Sequence, residues 1–121
     1  MGNDHFMIRV YIAGPYTKPD PCVNTHNAIR VADELMEAGY VPYLPHLTHF
    51  WHTVAPKPYQ TWLDYDAAWI AVCDAVFRMP GSSFGADGET ALAKRIGKPV
   101  VHSIAELKER FPVPRADIHQ E

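Results

Sequence analysis

Four short apolar runs alternate with helix-length segments of 3.6-residue periodicity, and most runs break at a Gly or Pro; this pattern predicts an α/β fold with a parallel sheet. Strand-helix-strand crossovers are right-handed and put helices on both faces of such a sheet. The expected architecture is a flavodoxin-like or Rossmann-like three-layer sandwich with four to five parallel strands. At 121 residues the chain has room for one such domain, over 1–121, with one core.

The elements follow in order. Phe6 to Ala13 (FMIRVYIA) is a buried first strand ended by Gly14-Pro15, and a proline-rich turn runs from Pro15 to Pro21. Asn24 or Thr25 caps a helix whose Ala28, Val31, Ala32 and Leu35 recur at i, i+3, i+4 and i+7, with Gly39 as its C-terminal glycine. Tyr40 to Tyr43 is a short second strand, and Pro45 to Pro58 reads as irregular. A helix follows from about Tyr59 to Cys73, then a third strand, Asp74 to Met79. A loop from Pro80 to Gly85 leads into a helix from Ala86 to Ile96, closed by Gly97. Pro99 to Ser103 is a fourth strand, and a short helix is expected at Ile104 to Arg110 in the polar C-terminal stretch.

Composition narrows the function. The chain is 47% hydrophobic and 21% charged, as a globular protein is. Eleven Lys and Arg against fourteen Asp and Glu leave a net charge of −3, which provides no bulk basic field for a nucleic-acid polymer. No apolar stretch reaches the roughly 20 residues that span a bilayer, and residues 1–5 (MGNDH) are polar, so a cytoplasmic protein without membrane partners is expected. Cys22 and Cys73 have no metal or redox spacing and read as reduced thiols. The eleven prolines, seven histidines and aromatics concentrate in one segment: four prolines, three histidines and five aromatics lie between Tyr40 and Tyr59. That segment reads as a stiff wall or lid.

In doubly wound sheets ligands bind beyond the carboxyl ends of the strands, where the strand order reverses. This places a pocket against Tyr11 to Thr17 and Arg78 to Glu89. Glu89 lies on the apolar stripe 89, 92, 93 and 96 of its helix and in the first turn, where free amides and the dipole favour an anion. A desolvated yet ionised carboxylate suits a nucleophile; a capping glutamate is the structural alternative. Asp66 borders the core stripe of its helix beside Trp62 and Trp69, which suits a general acid of raised pKa. Asp64 borders the opposite edge, and periodicity does not choose between them. Tyr11 reaches the pocket or is an ordinary buried tyrosine. Ser82, Ser83 and Gly85 open a helix, as an anion site or as simple capping. Arg78 is a pocket cation or an edge residue, and His46, His49 and His52 have a spacing open to zinc but without a clear fourth ligand.

The strand-turn YIAGPYT and the segment WLDYDAAWIAVCDAVFRMPGSSFGADGETALAKRIGKPVV resemble the nucleoside 2-deoxyribosyltransferase family and its relative, the 2′-deoxynucleoside 5′-phosphate N-hydrolase. The chain looks closest to a small branch of that superfamily that carries PHLTHFWH. The resemblance implies that Glu89, in G-x-x-x-E-x-x-x-A with Gly85 and Ala93, is the nucleophile. It selects Asp66, eight residues before Asp74, as the catalytic aspartate, and makes Tyr11 the residue that orients Glu89. Gly14, Pro15, Thr17 and Lys18 match the sugar- or phosphate-side loop. Ser83 stands where the transferases usually have aspartate, as in the monophosphate hydrolases, whereas the first-turn arginine of those hydrolases is replaced by Thr17-Lys18; Lys18 or Arg78 would supply the charge.

The implied activity is cleavage of the N-glycosidic bond of a nucleoside, or of its 5′-monophosphate, through a glycosyl-Glu89 intermediate resolved by water or by a second base. It implies a small-molecule nucleoside or nucleotide partner, no metal and no organic cofactor, and a homo-oligomer, dimer or tetramer. Tyr43, Phe50, Trp51 and Trp62 would sandwich the base, with His46 or His49 as polar contacts, and Ser83 with Gly85 would receive the 5′ end. The alternatives are a nucleotide-binding module without turnover and a metal-dependent hydrolase built on the three histidines.

Overall fold

The computed structural model describes residues 7–113. Phe6 and the last eight residues, which enter the sequence reading at the start of the first strand and in the polar C-terminal stretch, lie outside the described residues. Four strands, β1 (Arg9–Ala13), β2 (Val41–Tyr43), β3 (Ala75–Arg78) and β4 (Val100–Val101), form one parallel sheet in the order β2-β1-β3-β4. Five helices connect and extend them: α1 (Pro21–Glu37), α2 (Thr48–Val54), α3 (Tyr59–Val72), α4 (Phe84–Arg95) and α5 (Ile104–Arg110). This is the expected flavodoxin-like sandwich with four strands, and its order reverses between β1 and β3. Among the described residues no helix is long and apolar enough to cross a membrane.

The alternation of side chains along β1 divides the core. Val10 and Ile12 face α1 and α5, where they join Ala28, Leu35, Phe77 and Leu107 in an aliphatic cluster. Tyr11 and Ala13 face α3 and α4 and pack with Ile70, Cys73, Val76, Ala86 and Ala93. Both clusters are dry at their centres: Val10, Tyr11, Ile12 and Ala13 are fully buried. Burial on both faces explains why β1 reads as a continuous apolar run, with no polar alternation.

Three expectations are corrected. The cap of α1 is Asp20, with Pro21 at the first helical position, because the Asp20 carboxylate accepts from the amides of Cys22 at 2.8 Å and Val23 at 3.3 Å. Asn24 instead turns backward, and its amide donates to the carbonyls of Tyr16 at 3.0 Å and Lys18 at 2.9 Å. The stretch from Pro45 is not irregular: a 3-10 turn over Pro45–Leu47 runs into α2. Finally, α4 begins at Phe84, two residues early, because the Ser83 hydroxyl accepts from the Ala86 amide at 3.0 Å and caps it.

The helix ends follow the sequence. At α1 the amides of Gly39 and Tyr40 bond the carbonyls of Met36 and Leu35, a Schellman closure that Gly39 permits with φ +100. The same pair of bonds, Gly97 to Lys94 and Lys98 to Ala93, ends α4. Gly14 serves a different need. A Cβ there would lie 2.8 Å from Met79 Sδ and 3.1 Å from its Cβ, so only glycine lets the β1 and β3 turns meet this closely.

Candidate active site

The carboxyl ends of β1 and β3 open into a cavity of about 1160 Å³ at the strand-order reversal. One wall is the β1-α1 loop, Gly14 to Pro19; the second is the β3-α4 loop with the first turn of α4, Pro80 to Ala86 and Glu89; the third is α2 with one face of α3.

Glu89 and Asp66 line the floor, and Tyr11, fully buried, lies behind them. Tyr11, whose position on β1 aims its ring at α3 and α4, donates its hydroxyl to Glu89 Oε2 at 2.6 Å. Glu89 reaches this point from the second turn of α4, since Ser83 sets the helix start and the side chain leans toward that end. Asp66 enters from α3, close enough for its charge to act on the Tyr11 phenol, and its Oδ1 is buried without a hydrogen-bond partner.

Burial sets the protonation of all three. It pushes the Glu89 carboxyl up to about 7, against the Tyr11 hydrogen bond, with the Asp66 charge adding to the rise and Arg78 opposing it. It pushes Asp66 up to about 7 as well, again against a contribution from Tyr11. The phenol itself is driven far above the usual tyrosine range, first by burial and then by the two carboxylates, so it stays a proton donor.

These raised values have a cost in stability. Each carboxyl keeps its proton to a higher pH folded than unfolded, so between about pH 4 and 7 the native state binds more protons. Stability therefore falls as pH climbs through that window. Glu89→Gln and Asp66→Asn are expected to raise the midpoint of thermal unfolding by several degrees at pH 8 and to change it little at pH 4. Differential scanning calorimetry at the two pH values checks this; variants that melt with or below the wild type at pH 8 would contradict it.

The first loop is held from three sides. His46, buried at 5% exposure, donates Nε2–H to the Pro15 carbonyl at 2.9 Å. Tyr16 bonds His49 through its hydroxyl, and Asn24 ties the loop to α1. Burial lowers the His46 pKa, which favours the neutral ring.

The structure brings Glu89, Asp66, Gly14, Pro15, Thr17, Lys18, His46, His49, Trp62, Ser83 and Gly85 to one cavity. Tyr43 and Arg78 are placed elsewhere. Tyr43 packs behind Tyr11, with ring centroids 5.6 Å apart, and stacks on Trp69 at 4.7 Å. The Arg78 guanidinium turns to the carbonyls of Met79 and Gly81 and to Asp87 Oδ1, the last at 2.9 Å, so it braces the loop and acts on Glu89 only through its charge. Trp51 packs edge-on against Trp62 and Tyr65, and Phe50 is 62% exposed; neither lines the cavity. The three histidines make separate contacts, and among the described residues no group of three His, Cys, Asp or Glu converges as a metal site.

Asn24, Lys57, Tyr59 and Leu63 also line the cavity and are not among the site residues read from the sequence. Tyr59 and Leu63 precede Asp66 by seven and three residues, so the helical spacing already put them on its face. Nothing in the sequence signalled Lys57.

Two solved structures share this architecture. A 2-deoxyribosyltransferase from Leishmania mexicana superposes with a TM-score of 0.59 at 22% identity over 78% of this chain, which spans 63% of that enzyme's length. A 2-deoxyribosyltransferase from Bacillus psychrosaccharolyticus superposes with a TM-score of 0.54 at 17% identity, covering 93% of this chain and 91% of that one. The protein thus has the 2-deoxyribosyltransferase fold, with a half-buried carboxyl pair at the switch point of its sheet. No curated protein matches the sequence significantly. The chain belongs to the family described as domain of unknown function DUF7768, whose model matches residues 8–103.

Proposed function

We propose that the protein cleaves the N-glycosidic bond of a nucleoside or deoxynucleoside, or of its 5′-monophosphate, through a covalent glycosyl-Glu89 intermediate. The observation that carries this reading is the 2.6 Å hydrogen bond from Tyr11 to Glu89, with Asp66 beside it on the floor of one cavity. The 2-deoxyribosyltransferase fold supports it.

A Glu89 oxygen attacks C1′ as the C1′–N bond breaks, and the bonding pair leaves with the base. Protonated Asp66 gives its proton to the base nitrogen or its conjugated oxygen. Tyr11 fixes the Glu89 carboxylate and keeps one of its oxygens engaged, so the other is presented to C1′. In the second half, Asp66, now a carboxylate, takes a proton from water as that water attacks C1′ and frees Glu89. A second base attacking C1′ instead gives transfer. The sugar's 5′ end lies toward the loop Gly14 to Lys18 and the first turn of α4, where the amides of Phe84 and Gly85 precede the capped Ala86 amide and Ser83 and Lys18 stand nearby.

The test is chromatography of free base after incubation with a panel of nucleosides, deoxynucleosides and their monophosphates. Release of base from at least one is expected; none from any would overturn the reading.

The same proposal includes a homo-oligomer. Phe84, on the cavity rim, is 93% exposed and Val54, at the end of α2, is 85% exposed, large apolar side chains that a second copy would cover. Light scattering is expected to report a multiple of 13.6 kDa, and a monomer would count against it.

A further inference from the structure

We infer that His52 determines base specificity: its Nε2–H, fixed as a donor on the cavity wall, selects a departing base with an oxo group at the pyrimidine 4-position or purine 6-position, favouring uracil, thymine or hypoxanthine over the amino bases cytosine and adenine. The inference rests on the N-glycosidase reading.

His52 Nδ1 receives two hydrogen bonds, from the indole Nε1–H of Trp62 at 2.9 Å and from the backbone amide of Lys57 at 3.2 Å. Both are groups that only donate, so Nδ1 holds its lone pair and the ring proton sits on Nε2. His49 lacks this constraint, because its Nδ1 faces the Tyr16 hydroxyl, which donates or accepts. The nitrogen that His52 has left for a ligand is therefore a donor by construction.

Position makes this donor relevant to the leaving group. Trp62 precedes Asp66 by four residues and lies one turn along the same face of α3, and both line the cavity with His52. A base departing from between Glu89 and Asp66 extends along that face toward the Trp62-His52 pair. Lys57, the next lining residue on this side, adds an ammonium group that only donates. The ion pairs among the described residues are Arg9 with Asp74 and Arg78 with Asp87, so no carboxylate there occupies it. A 4-oxo or 6-oxo base completes this end of the site with an acceptor. A 4-amino or 6-amino base sets N–H against N–H and forfeits that hydrogen bond.

The test pairs two measurements on the purified protein. Isothermal titration compares free uracil with cytosine and hypoxanthine with adenine, and kcat/KM for base release compares deoxyuridine with deoxycytidine and deoxyinosine with deoxyadenosine. The oxo member of each pair is expected to be favoured by about tenfold or more. His52→Ala should bring the ratio near one through a higher KM for the oxo substrates. His52→Gln, which keeps an N–H donor, should restore part of it, and Trp62→Phe, which removes the shorter of the two hydrogen bonds at Nδ1 and leaves that of the Lys57 amide, should lower it with the imidazole still present. Equal preference in the wild type, a preference unchanged in His52→Ala, or no binding of any base would overturn the inference. Base release without preference defeats this inference alone, whereas selective binding of oxo bases without release defeats the N-glycosidase reading and leaves His52 as the selector.

Discussion

Glu89→Ala is expected to reduce base release by at least about 10³-fold on every substrate the wild type accepts, because it removes the atom that bonds C1′. The loss should appear in kcat, since the cavity walls that hold the substrate remain. Intact-mass measurement on rapidly quenched wild type should show one glycosyl group added, and the variant should show none. The stability of a second variant distinguishes a chemical loss from a folding defect. Glu89→Gln, which keeps an acceptor for the Tyr11 hydroxyl and relieves the desolvation cost of a carboxyl that burial pushes up to about 7, should be similarly inactive and melt no lower than the wild type at neutral pH. Comparable base release by Glu89→Ala would end the covalent mechanism.

The second large effect is the pH profile. The proposed mechanism works with Glu89 ionised and Asp66 protonated, and both carboxyls are pushed up to about 7 in one cavity. Groups this close titrate as a pair, and the singly protonated pair peaks between the two steps. Base release should therefore follow a bell with its maximum near pH 7, falling on the acid side as Glu89 takes a proton and on the alkaline side as Asp66 loses one. Asp66→Asn should cost about 10²- to 10⁴-fold and erase the alkaline limb, with the acid limb retained. An alkaline limb that persists in Asp66→Asn would assign the acid to another group.

The elements that were legible are those whose signal is local. The β1 run, the stripe of α1, the terminal glycines Gly39 and Gly97 and the span Ile104 to Arg110 all follow from periodicity and turn chemistry. The α2 helix was not legible, since THFWHTV is made of β-branched, aromatic and His residues of low helix propensity, bounded by prolines, and its tertiary contacts decide its state. The cap of α1 was misplaced because the proline-rich turn masked Asp20-Pro21, a start signal as regular as any in the chain. In the site, Glu89 stood out as a carboxyl on an apolar stripe, whereas periodicity left Asp66 and Asp64 equal and only the family resemblance selected Asp66. Tyr43 and Arg78 misled for one reason: strand position says how near a residue lies to a pocket, but the side chain's partner decides where it points. Tyr43 has an aromatic partner in Trp69, and Arg78 has Asp87.

The alternation of β1 has a consequence for how this protein accepts change. Val10 and Ile12 pack on the α1-α5 side, while the neighbouring Tyr11 holds Glu89 on the α3-α4 side. Truncation at Val10 or Ile12 is thus expected to lower thermal stability with the carboxyl pair left in place, whereas a change at Tyr11 acts on the pair itself.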